Sequence, residues 1–133
     1  MSSTAVLEYN VTDIQAPSVV GPEAASSWLR VCATEDLEPG WGEAALIQGQ
    51  QVALFRMADG SVFAVSHTDP ATGAQVMARG IVGSRGERLT IASPLHKDVY
   101  DLQSGECLSN PALRLTAYPT RLTEGSIEIQ LAA

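Results

Sequence analysis

Ser93, His96, His67 and Asp69 are the residues of this sequence whose types and spacing could do chemistry. They fall in two short segments, SHTDP at 66–70 and SPLHKD at 93–98. Ser93, His96 and either Asp98 or Asp101 supply the residue types of a nucleophile–base–acid set. A base three residues from its nucleophile is not expected to reach the required geometry, and nothing nearby suggests an oxyanion hole, so no catalytic residue is expected. His67, Asp69 and His96 are two imidazoles and a carboxylate, a known mononuclear metal set. Asp69 directly before Pro70 is more simply a turn residue, and no metal site is expected.

The elements that must position these residues read as β. WLRVCAT, from Trp28, alternates as a first strand. ALIQGQQVALFRMADGSVFAVSH reads as consecutive short strands turned at Gln48-Gly49 and at Asp59-Gly60. Phe55 and Phe63 flank the second turn and are expected to pair across it. Residues 68–79 form a long loop or short helical turn. GIVGSRGERLTIAS is a hairpin with Ser84, Arg85 and Gly86 near its tip, and VYDLQSGECL turns at Ser104-Gly105. Two last strands turn at Glu124-Gly125. No stretch carries a helical stripe over 11 residues or more. Many short strands with evenly spaced turn signals predict a small all-β sandwich or barrel over residues 27–133. Residues 1–26, rich in Ser, Ala, Pro and Val without a period, are expected to be a flexible arm. Val6 to Val11 could add an edge strand.

The totals exclude several classes. The chain has 133 residues, enough for one domain with a real core. It carries 8 basic and 15 acidic side chains, a formal net charge of −7. Such an acidic chain is repelled by nucleic-acid phosphates and anionic lipid, so neither is an expected partner. No run approaches the length of a membrane helix, and no basic segment followed by an apolar stretch marks a secretory signal. A cytoplasmic location is expected. Two cysteines, Cys32 and Cys107, are too few for a four-cysteine metal site. They are expected to be reduced, buried small apolar residues, with a single disulfide as the alternative.

The two loops carry a resemblance. Rieske domains hold a [2Fe–2S] cluster with two cysteines and two histidines, from a Cys-x-His box and a Cys-x-x-His box. Ser93-Pro94-Leu95-His96, followed by Val99-Tyr100-Asp101-Leu102, resembles the second box with serine in place of cysteine. Lys97 replaces the glycine usual after that box. VFAVSHTDPATGA resembles the first, with Asp69 and Ala71 at the ligand positions. ARGIVGSRGER, ASPLHKDVYDLQSGECL and NPALRLTAYPTRL are further similar to the small-subunit family of assimilatory NAD(P)H-dependent nitrite reductases, which is Rieske-like and lacks the cluster ligands. The resemblance covers Trp28 to about Leu131.

It implies a Rieske-like fold of short antiparallel strands in small packed sheets. It implies a non-catalytic small subunit with no cofactor of its own. Its partner would be a large catalytic subunit that carries flavin, sirohaem and an iron–sulfur cluster and reduces nitrite to ammonium. The rival class is a Rieske-type [2Fe–2S] ferredoxin-like electron carrier for an oxygenase or reductase, and the ligand count argues against it. Asp69, Ala71, Ser93 and His96 are then degenerate cluster positions. His96 is expected to hydrogen-bond loop backbone and hold the two loops together, with a docking contact as the alternative.

Charge is polarised along the chain. Arg79, Arg85, Arg88 and Lys97 are half of the basic residues, whereas residues 1–45 hold seven acids and Arg30 alone. These four form a candidate docking face for an acidic partner, beside the plainer reading of a solvated hairpin. Trp28 and Trp41 are expected in core or rim packing, with partner anchoring as the alternative.

Overall fold

The strand Gln50–Arg56 has a run of four consecutive buried residues, Val52, Ala53, Leu54 and Phe55. Successive strand side chains point to opposite faces, so such a run requires apolar cover on both sides. The computed structural model, which describes residues 6–8 and 28–131, supplies that cover. Val52 and Leu54 join one apolar cluster, with Leu29, Val31, Ile47, Ile127 and Ile129. Ala53 and Phe55 join another, with Met77, Ile91, Tyr100, Leu102 and Leu115.

Eleven strands are described: β1 (Val6–Glu8), β2 (Leu29–Ala33), β3 (Gly42–Ile47), β4 (Gln50–Arg56), β5 (Val62–Ser66), β6 (Ile81–Arg85), β7 (Arg88–Ala92), β8 (Val99–Asp101), β9 (Ala117–Tyr118), β10 (Thr120–Thr123) and β11 (Ser126–Ile129). A five-stranded sheet in the order β1-β3-β4-β5-β9 lies between two three-stranded sheets, β10-β11-β2 and β6-β7-β8. The fold is therefore all-β, short strands in small packed sheets, as the sequence predicts. Short 3₁₀ turns at Thr34–Asp36 and Met77–Arg79 are the described helical elements. No helix among the described residues is long and apolar enough to cross a membrane.

The turns fix the registers. Gln48-Gly49 and Glu124-Gly125 each place two successive residues at positive φ, 51° and 83°, the pairing that a two-residue hairpin with right-handed twist requires. Phe55 pairs with Phe63 across the Asp59-Gly60 turn. One pairing departs from the antiparallel pattern: β1 runs parallel to β3, with Val6 opposite Ala44. The rest of the arm expected over 1–26 lies outside the described residues. Cys32 and Cys107 are free thiols, each buried in a different apolar cluster, and burial pushes the Cys32 thiol up to about 12.

Candidate functional site: two facing loops

β5 and β6 are joined by residues 67–80, and β7 and β8 by residues 93–98. Each loop is wound around one residue. In the first, the Asp69 amide donates to the Ala74 carbonyl at 2.8 Å. The Asp69 carbonyl accepts from Thr72 at 3.2 Å and Gly73 at 2.7 Å, and Oδ1 accepts from the Ala71 amide at 2.8 Å. An aspartate that accepts from the amide two residues on stabilises a turn by itself. In the second loop, the Ser93 carbonyl accepts from the Lys97 amide at 3.0 Å, and its Oγ accepts from the Leu95 amide at 3.2 Å. Lys97 takes the left-handed conformation, φ 63°.

One bond joins the loops. Ser93 Oγ donates to Asp69 Oδ2 at 2.8 Å. Asp69 is 0% exposed and Ser93 2%. A side-chain pair this buried satisfies groups that would each be costly unpaired. Tyr100, in the second apolar cluster, is also fully buried. Burial pushes the Tyr100 phenol up, with Cys107, Asp69 and Asp98 adding to the effect. Its hydroxyl makes no hydrogen bond among the described residues.

The other candidates take different places. His96 is exposed and its ring makes no hydrogen bond among the described residues. The expectation that it ties the loops is therefore corrected: within the tight turn closed by Lys97, Ser93 faces inward and His96 outward. Ala71 is exposed and contributes only its amide. His67 is buried and turned to the 3₁₀ segment, where Nδ1 accepts from the Ala78 amide at 3.1 Å. That acceptor role places the ring proton on Nε2. Burial and then the Arg79 charge hold the imidazole below its ordinary 6.5. His67, Asp69 and His96 thus do not converge, and no group of three metal-ligating side chains exists among the described residues. Nor does a triad form. The Ser93 hydroxyl is bound to Asp69, Asp98 accepts from Ser109, and Asp101 accepts from Arg88 and two amides.

Of the four candidate docking cations, Arg88 is engaged. It meets Asp101 and Glu106 at 2.7 Å each. Burial raises the Asp101 carboxyl, but the Ser104 amide, Arg88 and the Gln103 amide together hold it below its ordinary value. Arg79, Arg85 and Lys97 are exposed and form no ion pair among the described residues. Sequence reasoning missed the Asp69–Ser93 bond, although the signal was there: they are the first residues of the two matched boxes.

The donors do not fit a [2Fe–2S] cluster. That group takes two thiolates and two imidazoles. Here the four positions offer a carboxyl, a methyl, a serine hydroxyl and one exposed imidazole. Both cysteines lie elsewhere, in the apolar clusters. A serine hydroxyl keeps its proton at neutral pH and is a hard, weak ligand for iron.

The likeness nonetheless extends along the chain. A profile of the Rieske-like [2Fe-2S] domain matches residues 27–130. The nitrite reductase (NADH) small subunit of Salmonella typhimurium is 35% identical over 106 residues, 79% of this chain and 98% of its own length. A crystal structure described as an NADH-dependent nitrite reductase small subunit from Mycobacterium tuberculosis matches with a TM-score of 0.77 at 46% identity. That match covers 81% of this chain and 97% of the other. A stretch of the nitrite reductase [NAD(P)H] large subunit of Klebsiella oxytoca is 28% identical over 100 residues, 75% of this chain but 10% of that one. Fold and loop pair define a Rieske-like β domain. The chain belongs to the Rieske-like [2Fe–2S] domain family, within its branch of nitrite reductase small subunits.

Proposed function

We propose that this chain is the non-catalytic small subunit of a cytoplasmic NAD(P)H-dependent nitrite reductase. It binds a large subunit that holds flavin, sirohaem and an iron–sulfur cluster and reduces nitrite to ammonium. The chain itself holds no redox centre and stabilises or orients that subunit. The observation that carries this reading is the buried Ser93–Asp69 bond, formed between the first residues of the two degenerate cluster boxes. A bond of this kind keeps two loops in register without metal, so the fold survives the loss of its cluster. An electron carrier would need the thiolates that these positions lack.

The test is reconstitution. The large subunit is purified alone, and NAD(P)H-dependent nitrite consumption and its thermal inactivation are followed with and without this chain. The chain alone is expected to be inactive, to bind the large subunit, and to raise its activity or lifetime. A large subunit equally active and durable without the chain, and not bound by it, would remove the proposal.

A further inference from the structure

Four large apolar side chains are exposed among the described residues: Trp41 (54%), Ile81 (72%), Leu95 (49%) and Leu122 (49%). Two of them, Trp41 and Ile81, line one hollow of about 410 Å³ together with Gly40, Gly42, Arg79 and Val82. The hollow is built into the fold. The Gly40 amide donates to the Arg56 carbonyl at 2.7 Å and the Trp41 amide to the Glu38 carbonyl at 3.1 Å, so the exposed indole stands on an ordered turn. Gly42 allows the chain to press against the 3₁₀ turn, since a Cβ there would collide with the Ala78 carbonyl oxygen. Gly80 does the same against the Ala92 carbonyl oxygen. Neither wall can be closed by a side chain without moving backbone.

We infer that this hollow, with Trp41 and Ile81 at its rims and Arg79 in its wall, is the surface that docks the large subunit. It receives an apolar side chain flanked by carboxylates. The inference rests on the subunit reading above and names the surface that reading leaves open. Tryptophan and arginine dominate binding at protein interfaces, and a rigid apolar anchor beside a free cation is how such a centre is made. Arg79, at the end of the 3₁₀ turn, is exposed and has no ion pair among the described residues, and neither has Arg85, at the far end of β6. On a chain of net charge −7, the free Arg79 guanidinium in the wall of an apolar hollow selects a carboxylate on the partner's docking segment. The same net charge disfavours a second copy as occupant. The Klebsiella oxytoca large subunit contains a stretch similar to this chain, which supports a large subunit as the occupant. Arg88 is left out, since Asp101 and Glu106 already hold it.

The experiment measures the affinity of full-length chain for purified large subunit by calorimetry, with sedimentation of the chain alone. Trp41→Ala, Ile81→Ser and Arg79→Glu are compared with Leu95→Ser and Leu122→Ser, which remove apolar side chains of similar exposure elsewhere. Circular dichroism and thermal melts establish that each variant is folded. Each of the first three is expected to weaken binding about tenfold or more, and Arg79→Glu also to lower its salt sensitivity. The two control variants are expected to bind as wild type. Wild-type binding that only Leu95→Ser weakens moves the interface to the loop tips and overturns the inference while sparing the subunit reading. A wild-type dimer dissolved by Trp41→Ala makes the occupant a second copy and overturns it too. No wild-type binding at all removes the subunit reading, and the inference with it.

Discussion

Replacing Ser93 with alanine removes two hydrogen bonds at once. The Ser93 hydroxyl donates to Asp69 Oδ2 at 2.8 Å and accepts from the Leu95 amide at 3.2 Å. Leu95 is exposed, so its amide regains a partner in water. Asp69 is fully buried, so its Oδ2 does not. Leaving a buried acceptor unpaired costs about 1–3 kcal/mol, and about 2 kcal/mol is the expected loss. For a domain of this size that loss lowers Tm by about 6–10 °C. Urea unfolding followed by tryptophan fluorescence measures it. A double-mutant cycle with Asp69→Ala separates the Ser93–Asp69 bond from the one Asp69 accepts from Ala71. The coupling is expected at about 1–2 kcal/mol. A coupling below about 0.5 kcal/mol, with Ser93→Ala as stable as wild type, would refute the claim that this bond holds the loops together.

Three further outcomes are expected. His67 has a native pKa held below its ordinary 6.5 by burial and by Arg79, so the unfolded chain takes the proton first. Stability is then constant above about 6.5, falls as pH drops from there toward the native pKa, and is flat below it. Proton NMR of the imidazole and urea midpoints across that window check this, and Arg79→Glu should raise the native pKa; a native pKa above 6.5 would reverse the sign. Lys97→Gly should stabilise the chain by about 0.5–1 kcal/mol, because a φ of 63° strains any side-chain-bearing residue. A lower melting temperature would mean the lysine side chain makes a contact worth more than the strain. Asp69→Cys, Ala71→His and Ser93→Cys together, with the native His96, should bind iron and sulfide on anaerobic reconstitution. A folded triple variant that takes up no iron would break the correspondence between these loops and the cluster boxes.

Local chemistry made much of this fold legible. Asp59-Gly60, Gln48-Gly49 and Glu124-Gly125 name their turns because few residues adopt positive φ cheaply, and each turn then sets a register, as Phe55 opposite Phe63 shows. The VALF run at 52–55 declares a strand covered on both faces. What lay beyond the sequence depends on neighbours brought from a distance. Arg88 reads as a free cation until β7 pairs with β8, which carries Asp101 to it and brings Glu106 within reach. His96 and Ser93 are equally polar on paper, and only the turn closed by Lys97 decides which one is buried. The edge strand expected within Val6 to Val11 is present at Val6–Glu8, but that it would run parallel to β3 could not be read from so short a segment. Trp41 reads as core, rim or anchor by type, and only the folded chain shows it 54% exposed, beside the turn in which its amide donates to the Glu38 carbonyl.

The most direct measurement is the visible spectrum of the purified chain together with its iron and acid-labile sulfide content. A folded, colourless protein without stoichiometric iron or sulfide is the predicted result, since a carboxyl and a serine hydroxyl stand where two thiolates would have to be. Two irons and two sulfides per chain, with the red-brown absorption of a [2Fe–2S] centre, would contradict the account and make the chain an electron carrier.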